Sequence, residues 1–125
     1  MKRIDVYFLL LATILLIVGA VLGIVMGSSE DFRLTPVHAH LNLAGWASLA
    51  LFGLVYRAYP EIAQNRLALF HFILSASSAV LLPVGIGLAV LRNQPALAIA
   101  ASLLWVAGVL VFFVQLLSLL RNREM

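Results

Sequence analysis

The chain has 125 residues, 64% of them hydrophobic and only 10% charged, with a formal net charge of +3. A soluble domain of this length covers itself with polar side chains, and this composition cannot supply them. Eight Lys and Arg sit at segment ends rather than in a patch, so the positive balance gives no nucleic-acid signal. With no cysteine, disulfides, thiolate metal sites and thiol catalysis are excluded.

Four apolar runs are long enough to cross a bilayer, which takes roughly 20 helical residues. The first helix is expected over about 6–27. It exceeds a signal-peptide core, and no small-residue cleavage pattern follows Met26, so it reads as a retained span. Gly19, Gly23 and Gly27 recur every fourth residue and make a flat stripe suited to close helix contact. A polar loop comes next, and Thr35-Pro36 reads as a start signal, Thr35 the N-cap and Pro36 the first helical residue.

The second helix is expected over 36–57, with a turn at Pro60, Gln64 and Asn65. The third, over 66–91, carries Pro83, which predicts a kink. Asn93-Gln94-Pro95 is a tight turn, and the fourth helix covers 96–120. Short connections make neighbours antiparallel. The expected fold is an all-α integral membrane protein, a single antiparallel up-down bundle of four transmembrane helices. Lys2, Arg3, Arg57, Arg66, Arg121 and Arg123 fall on one side, and only Arg33 and Arg92 on the other. The positive-inside rule then puts both termini in the cytoplasm, and the expected location is a bacterial inner membrane.

The chemistry-bearing residues are few. His38 and His40 lie in the first turns of the second helix, and His71 lies near the opposite end of the third. At 1.5 Å rise per residue the two groups stand roughly 20 Å apart along the membrane normal, so one metal cannot use both within one chain. His38 and His40 are two residues apart and point to opposite sides of a regular helix. The His38 side continues through Asn42, Gly45, Trp46, Leu49 and Gly53 and suits the bundle interior or a cofactor; the His40 side, through Leu43, Ala47, Leu51 and Leu54, suits lipid or another subunit. An ionisable residue inside a span carries a functional reading by default. The competing reading makes His38 and His40 interfacial and His71 a hydrogen-bonded structural residue. Trp46 and Trp105 fall mid-span, where packing is the commoner task, and Gln115 with Ser118 suggests hydrogen bonding between helices. No acidic residue falls inside a span, and Ser75, Ser77 and Ser78 have no histidine–acid pair at their depth, which argues against hydrolysis.

The run His38-Ala-His-Leu-Asn-Leu-Ala-Gly-Trp46, with Leu51-Phe52-Gly53, Tyr56 and Pro60 after it, resembles the second helix of the haem–copper oxidase subunit I superfamily. That helix carries an axial ligand of the low-spin haem near the outer face. The oxidase branch's His-Ala matches His38, and the nitric oxide reductase branch's His-x-Asn-Leu matches His40 and Asn42. Arg66 to Phe72 resembles the start of the next helix, and the chain is similar to short four-span proteins described as oxidase subunit I-like. The resemblance covers residues 35–75. A full subunit I has about twelve spans and six ligand histidines; this chain has four apolar runs and three histidines, so neither a copper site nor a complete oxygen- or NO-reducing centre is implied. The resemblance implies a b-type haem, with cofactor-binding candidates His38, His40, Asn42, Trp46 and His71, and with His38 or His40 on the metal. The expected function is electron transfer, haem handling or gas binding. The alternatives are a copper- or zinc-binding accessory protein and a cofactor-free structural module. The expected partners are lipid, further copies of the chain and a respiratory complex, with no nucleic acid.

Overall fold

The computed structural model describes residues 3–123, the last two by backbone alone. Lys2 and the side chain of Arg123, which entered the charge reading, lie outside it. Every element among the described residues is helical. Helix α1 is Ile4–Ser29, α2 is Thr35–Ala58, α3 is the short Pro60–Ala63, α4 is Arg66–Arg92 and α5 is Ala96–Arg123. The four long helices are each long and apolar enough to cross a membrane. Their bounds match the expected ones to within a few residues.

The ends obey local chemistry. Asn65 caps α4 by accepting the backbone N–H of Ala68 at 3.0 Å. Asn93 closes that helix in the left-handed region, φ 53°, which asparagine tolerates better than most residues. Thr35 is not the N-cap of α2: Leu34 holds that position, and the Thr35 hydroxyl donates back to the Phe32 carbonyl at 2.6 Å. With no side chain to cap the first turn, Pro36 sets the start, needing no partner for a missing N–H. Helix α4 runs unbroken past Pro83.

Helix α2 departs from regularity in one place. Leu41–Ala47 is π-helical between two α-helical stretches. Its bonds reach five residues back instead of four, and Ser48 Oγ does likewise by donating to the Leu43 carbonyl at 2.7 Å. One inserted residue turns the remainder of the helix by about 100°. That rephasing lets His38, before the segment, and Asn42, within it, meet α1, while Phe52 and Tyr56 enter the core after it.

The register between α1 and α2 is read from the glycines. Gly23 lies under His38, Gly19 under Asn42, Gly45 against Leu15, and Gly53 against Phe8 and Asp5, so residue numbers fall along one helix as they rise along the other. Helices α4 and α5 show the same opposed register through Gly85 with Ala98 and Gly108 with Ser75. The buried core runs through Phe8, Leu15, Leu49, Phe52, Tyr56 and Ala79. Residues 4–5, 56–65 and 115–121 gather at one end, the termini end; the loop at 30–34 and the start of α2 lie at the other, the loop end.

Candidate functional site

At the loop end, α2 presents two imidazoles with different surroundings. His38 is half-buried between α1 and α2. Its Nδ1–H donates to the Gly19 carbonyl at 2.9 Å, and its ring crosses Gly23. Asn42 lies one turn on, its amide donating to the His38 carbonyl at 2.8 Å while its side chain fills the space above Gly19. The glycine stripe of α1 is thus occupied from within: two of its members receive polar side chains of α2, and only Gly27 is left open. The stripe was expected to make a close helix contact, and Gly19 and Gly23 make one inside the chain, with α2.

His40 points the other way and is exposed. Its Nδ1–H donates to the Pro36 carbonyl one turn back, at 2.8 Å. Both histidines therefore carry their ring hydrogen on Nδ1 and leave the Nε2 lone pair open. This is the arrangement in which a ligating imidazole is held, its other nitrogen anchored on a carbonyl. Leu43, Leu51 and Leu54 are exposed along the remainder of α2, with 67%, 61% and 52% of their surface accessible.

His71 sits apart from both, in the half of the bundle near the termini end. It is fully buried, with Phe112 stacked at 5.1 Å, Phe8 at 5.2 Å and Phe52 edge-on at 4.6 Å. Its Nδ1 lies 2.7 Å from the Tyr56 hydroxyl, and Gln115 Nε2 donates to that same hydroxyl oxygen. The hydroxyl hydrogen is then directed to Nδ1, which puts the ring hydrogen of His71 on Nε2. This three-helix junction of α2, α4 and α5 was only half legible. Gln115 stood out as a polar residue in an apolar run, but nothing in the spacing paired it with Tyr56, a residue with no bonding role legible in its own segment. Ser118 bonds within its own helix, to the Gln115 carbonyl at 2.6 Å, not across helices. His71 Nε2, Gln115 Oε1 and Ser75 Oγ are buried without a hydrogen-bond partner among the described residues.

No family model matches this chain, and no curated protein or solved structure matches it. The site therefore stands on its own geometry. The structure brings His38 and Asn42 together on α1 and isolates His40 outside them. It seats Trp46 half-buried against the core and keeps His71 away from all three. Among the described residues no three His, Asp or Glu side chains gather in a metal-ligating group.

Outside the helices, Asp31 and Arg33 close the 30–34 loop. The guanidinium reaches both carboxylate oxygens, at 2.7 to 3.1 Å, and the Arg33 backbone N–H adds a bond at 3.1 Å. These bonds, the side-chain ones above all, hold the Asp31 carboxyl down at about 2.

Proposed function

We propose that the chain is an integral membrane protein, an antiparallel up-down four-helix bundle with both termini cytoplasmic, that binds a b-type haem at the loop end through His40. Four apolar spans, the opposed registers of α1 with α2 and α4 with α5, and the weight of Arg toward the termini end support the membrane arrangement. The observation that carries the haem reading is His40: exposed, anchored through Nδ1 on the Pro36 carbonyl, with Nε2 open and apolar surface beyond it. His38 has the same anchoring but is wedged over Gly23, so it serves as the support and His40 as the ligand. The adjoining π-helical segment agrees with this, since such segments are frequent at functional sites.

A porphyrin supplies most of its iron's ligands itself, so one imidazole per chain, His40, would be enough to hold it, together with His40 of a second copy. Copper or zinc asks for three or four protein ligands, and no such group gathers among the described residues, so this is the weaker reading. When bound, haem would supply one-electron transfer or gas binding. A second reading, a cofactor-free membrane module, is favoured by one observation: His38 and His71 are both engaged in bonds that join helices.

The test is an absorption spectrum of the detergent-purified protein, oxidised and then reduced, after expression with ample haem. A Soret band that His40→Ala abolishes and His38→Ala retains is the expected result. A flat visible spectrum in the unaltered protein overturns the haem reading and leaves the structural module.

A further inference from the structure

At the termini end a groove of about 490 Å³ opens between the start of α4 and the last turns of α5. Its walls are Asn65, Leu67, Val114, Gln115, Leu117, Ser118 and Arg121. A second depression of about 220 Å³ continues from it along α5, sharing Leu67 and Val114 and adding Leu110 and Val111, with no polar lining. The two together form one trough with a graded lining. Arg121 stands at the mouth, Asn65 and Ser118 come next with Leu117 beside them, and Leu67, Val114, Val111 and Leu110 lie beyond. From Arg121 to Leu110 is eleven residues of helix, about 16 Å at 1.5 Å each. Over that length the lining goes from cationic through mixed polar and aliphatic to wholly apolar, as a membrane lipid goes from phosphate through glycerol esters to acyl chain. The floor of the polar section is built rather than incidental. Gln115 is 1% exposed, and Tyr56, held in turn by His71, receives its amide N–H.

We propose that this trough is a binding site for one anionic glycerophospholipid, its phosphate at Arg121 and an acyl chain along Leu67, Val114, Val111 and Leu110. Charge selects the occupant: a cationic mouth at the depth of the headgroups attracts an anionic head over a zwitterionic one. The general excess of basic residues at this end does not account for it. Arg66 lies at the same end, in the first turn of α4, and does not line the trough. The proposal rests on the membrane reading above but not on haem.

The experiment purifies the full chain from membranes in mild detergent, adds back vesicle lipid of equal phosphatidylglycerol and phosphatidylcholine content, and counts retained lipid by native mass spectrometry. The expected result is one retained lipid per chain with several-fold preference for phosphatidylglycerol. Arg121→Gln should remove the preference, Arg66→Gln should leave it, and Val114→Trp should displace both lipids. Equal effects of Arg121→Gln and Arg66→Gln overturn the site in favour of diffuse charge, and so does retention that Val114→Trp leaves intact. Alkaline carbonate extraction of the unaltered chain separates the two levels. Release into the supernatant sinks the membrane reading and this site with it, whereas a chain that stays in the membrane yet shows no preference sinks this site alone.

Discussion

Gly23 forms the floor beneath His38: a Cβ placed on that glycine would stand 2.9 Å from the imidazole Cε1. The ring cannot keep both its place and its bond to the Gly19 carbonyl once the glycine gains a side chain. Gly23→Val should therefore push His38 out of the α1–α2 seam and lower stability by about 1–3 kcal/mol, the usual cost of overpacking. Gly27→Ala, on the same stripe but with nothing within 4 Å, should cost nothing. Thermal unfolding of the two variants in detergent makes the comparison. Equal melting temperatures would show that the stripe and the histidine are not in contact.

Tyr56 is the shared member of the buried junction, so its hydroxyl is worth more than one hydrogen bond. Tyr56→Phe keeps the ring packed against Phe8 and Phe112 but strands His71 Nδ1 and the Gln115 amide. Leaving a buried polar group unpaired costs about 1–3 kcal/mol, and here two are stranded. By contrast Arg57→Ala removes an ion pair to Asp5 at 3.3 Å whose arginine is 65% exposed, and such pairs contribute about 0–1 kcal/mol. Chemical denaturation of Tyr56→Phe, Gln115→Leu and the double variant gives the coupling. Additive losses would mean the two side chains act separately.

The glycines of α4 offer an internal control. A Cβ on Gly85 would lie 2.5 Å from the Ala98 backbone nitrogen and 2.8 Å from its Cα, whereas one on Gly87 meets only a Val37 methyl at 3.8 Å. Backbone atoms cannot rotate out of the way, so Gly85→Ala has to part α4 from α5. It should destabilise by about 1–3 kcal/mol despite the better helix propensity of alanine. Gly87→Ala should be neutral or gain up to about 1 kcal/mol. The pair is read by thermal unfolding, and an undiminished melting temperature for Gly85→Ala would mean that α4 and α5 do not touch at this glycine.

The contrast between what these residues announced in sequence and what they do is physical. Apolar runs, turn residues and Pro36 marked the helices because bilayer-length hydrophobicity and helix stops are local properties. The split between His38 inward and His40 outward came from helical phase over two residues, and it survives because both precede the irregular segment. Beyond Leu41 the phase shifts, and no local pattern announces a π-helical stretch: it packs on α1, with Leu15 against Gly45, a contact distant in sequence. Tyr56, His71 and Gln115 meet from three helices, so their pairing depends on helix rotation and depth together. A single polar residue in a span signals that it needs a partner, not which one.

The Asp31–Arg33 clasp supplies a pH prediction outside the helices. The carboxyl titrates at about 2 when folded against an ordinary 3.8, because the Arg33 side chain and backbone N–H bond its charged form. A depressed acid contributes its stabilisation above the ordinary value and loses it as pH falls through the folded one, so the clasp should hold at about pH 4 and open near pH 2. Carboxyl-carbon NMR of the protein in micelles tracks it directly. The Asp31 signal should titrate near 2, and in Arg33→Gln it should move up toward 3.8. A midpoint that ignores the substitution would show that the charge of Asp31 is held by something other than Arg33.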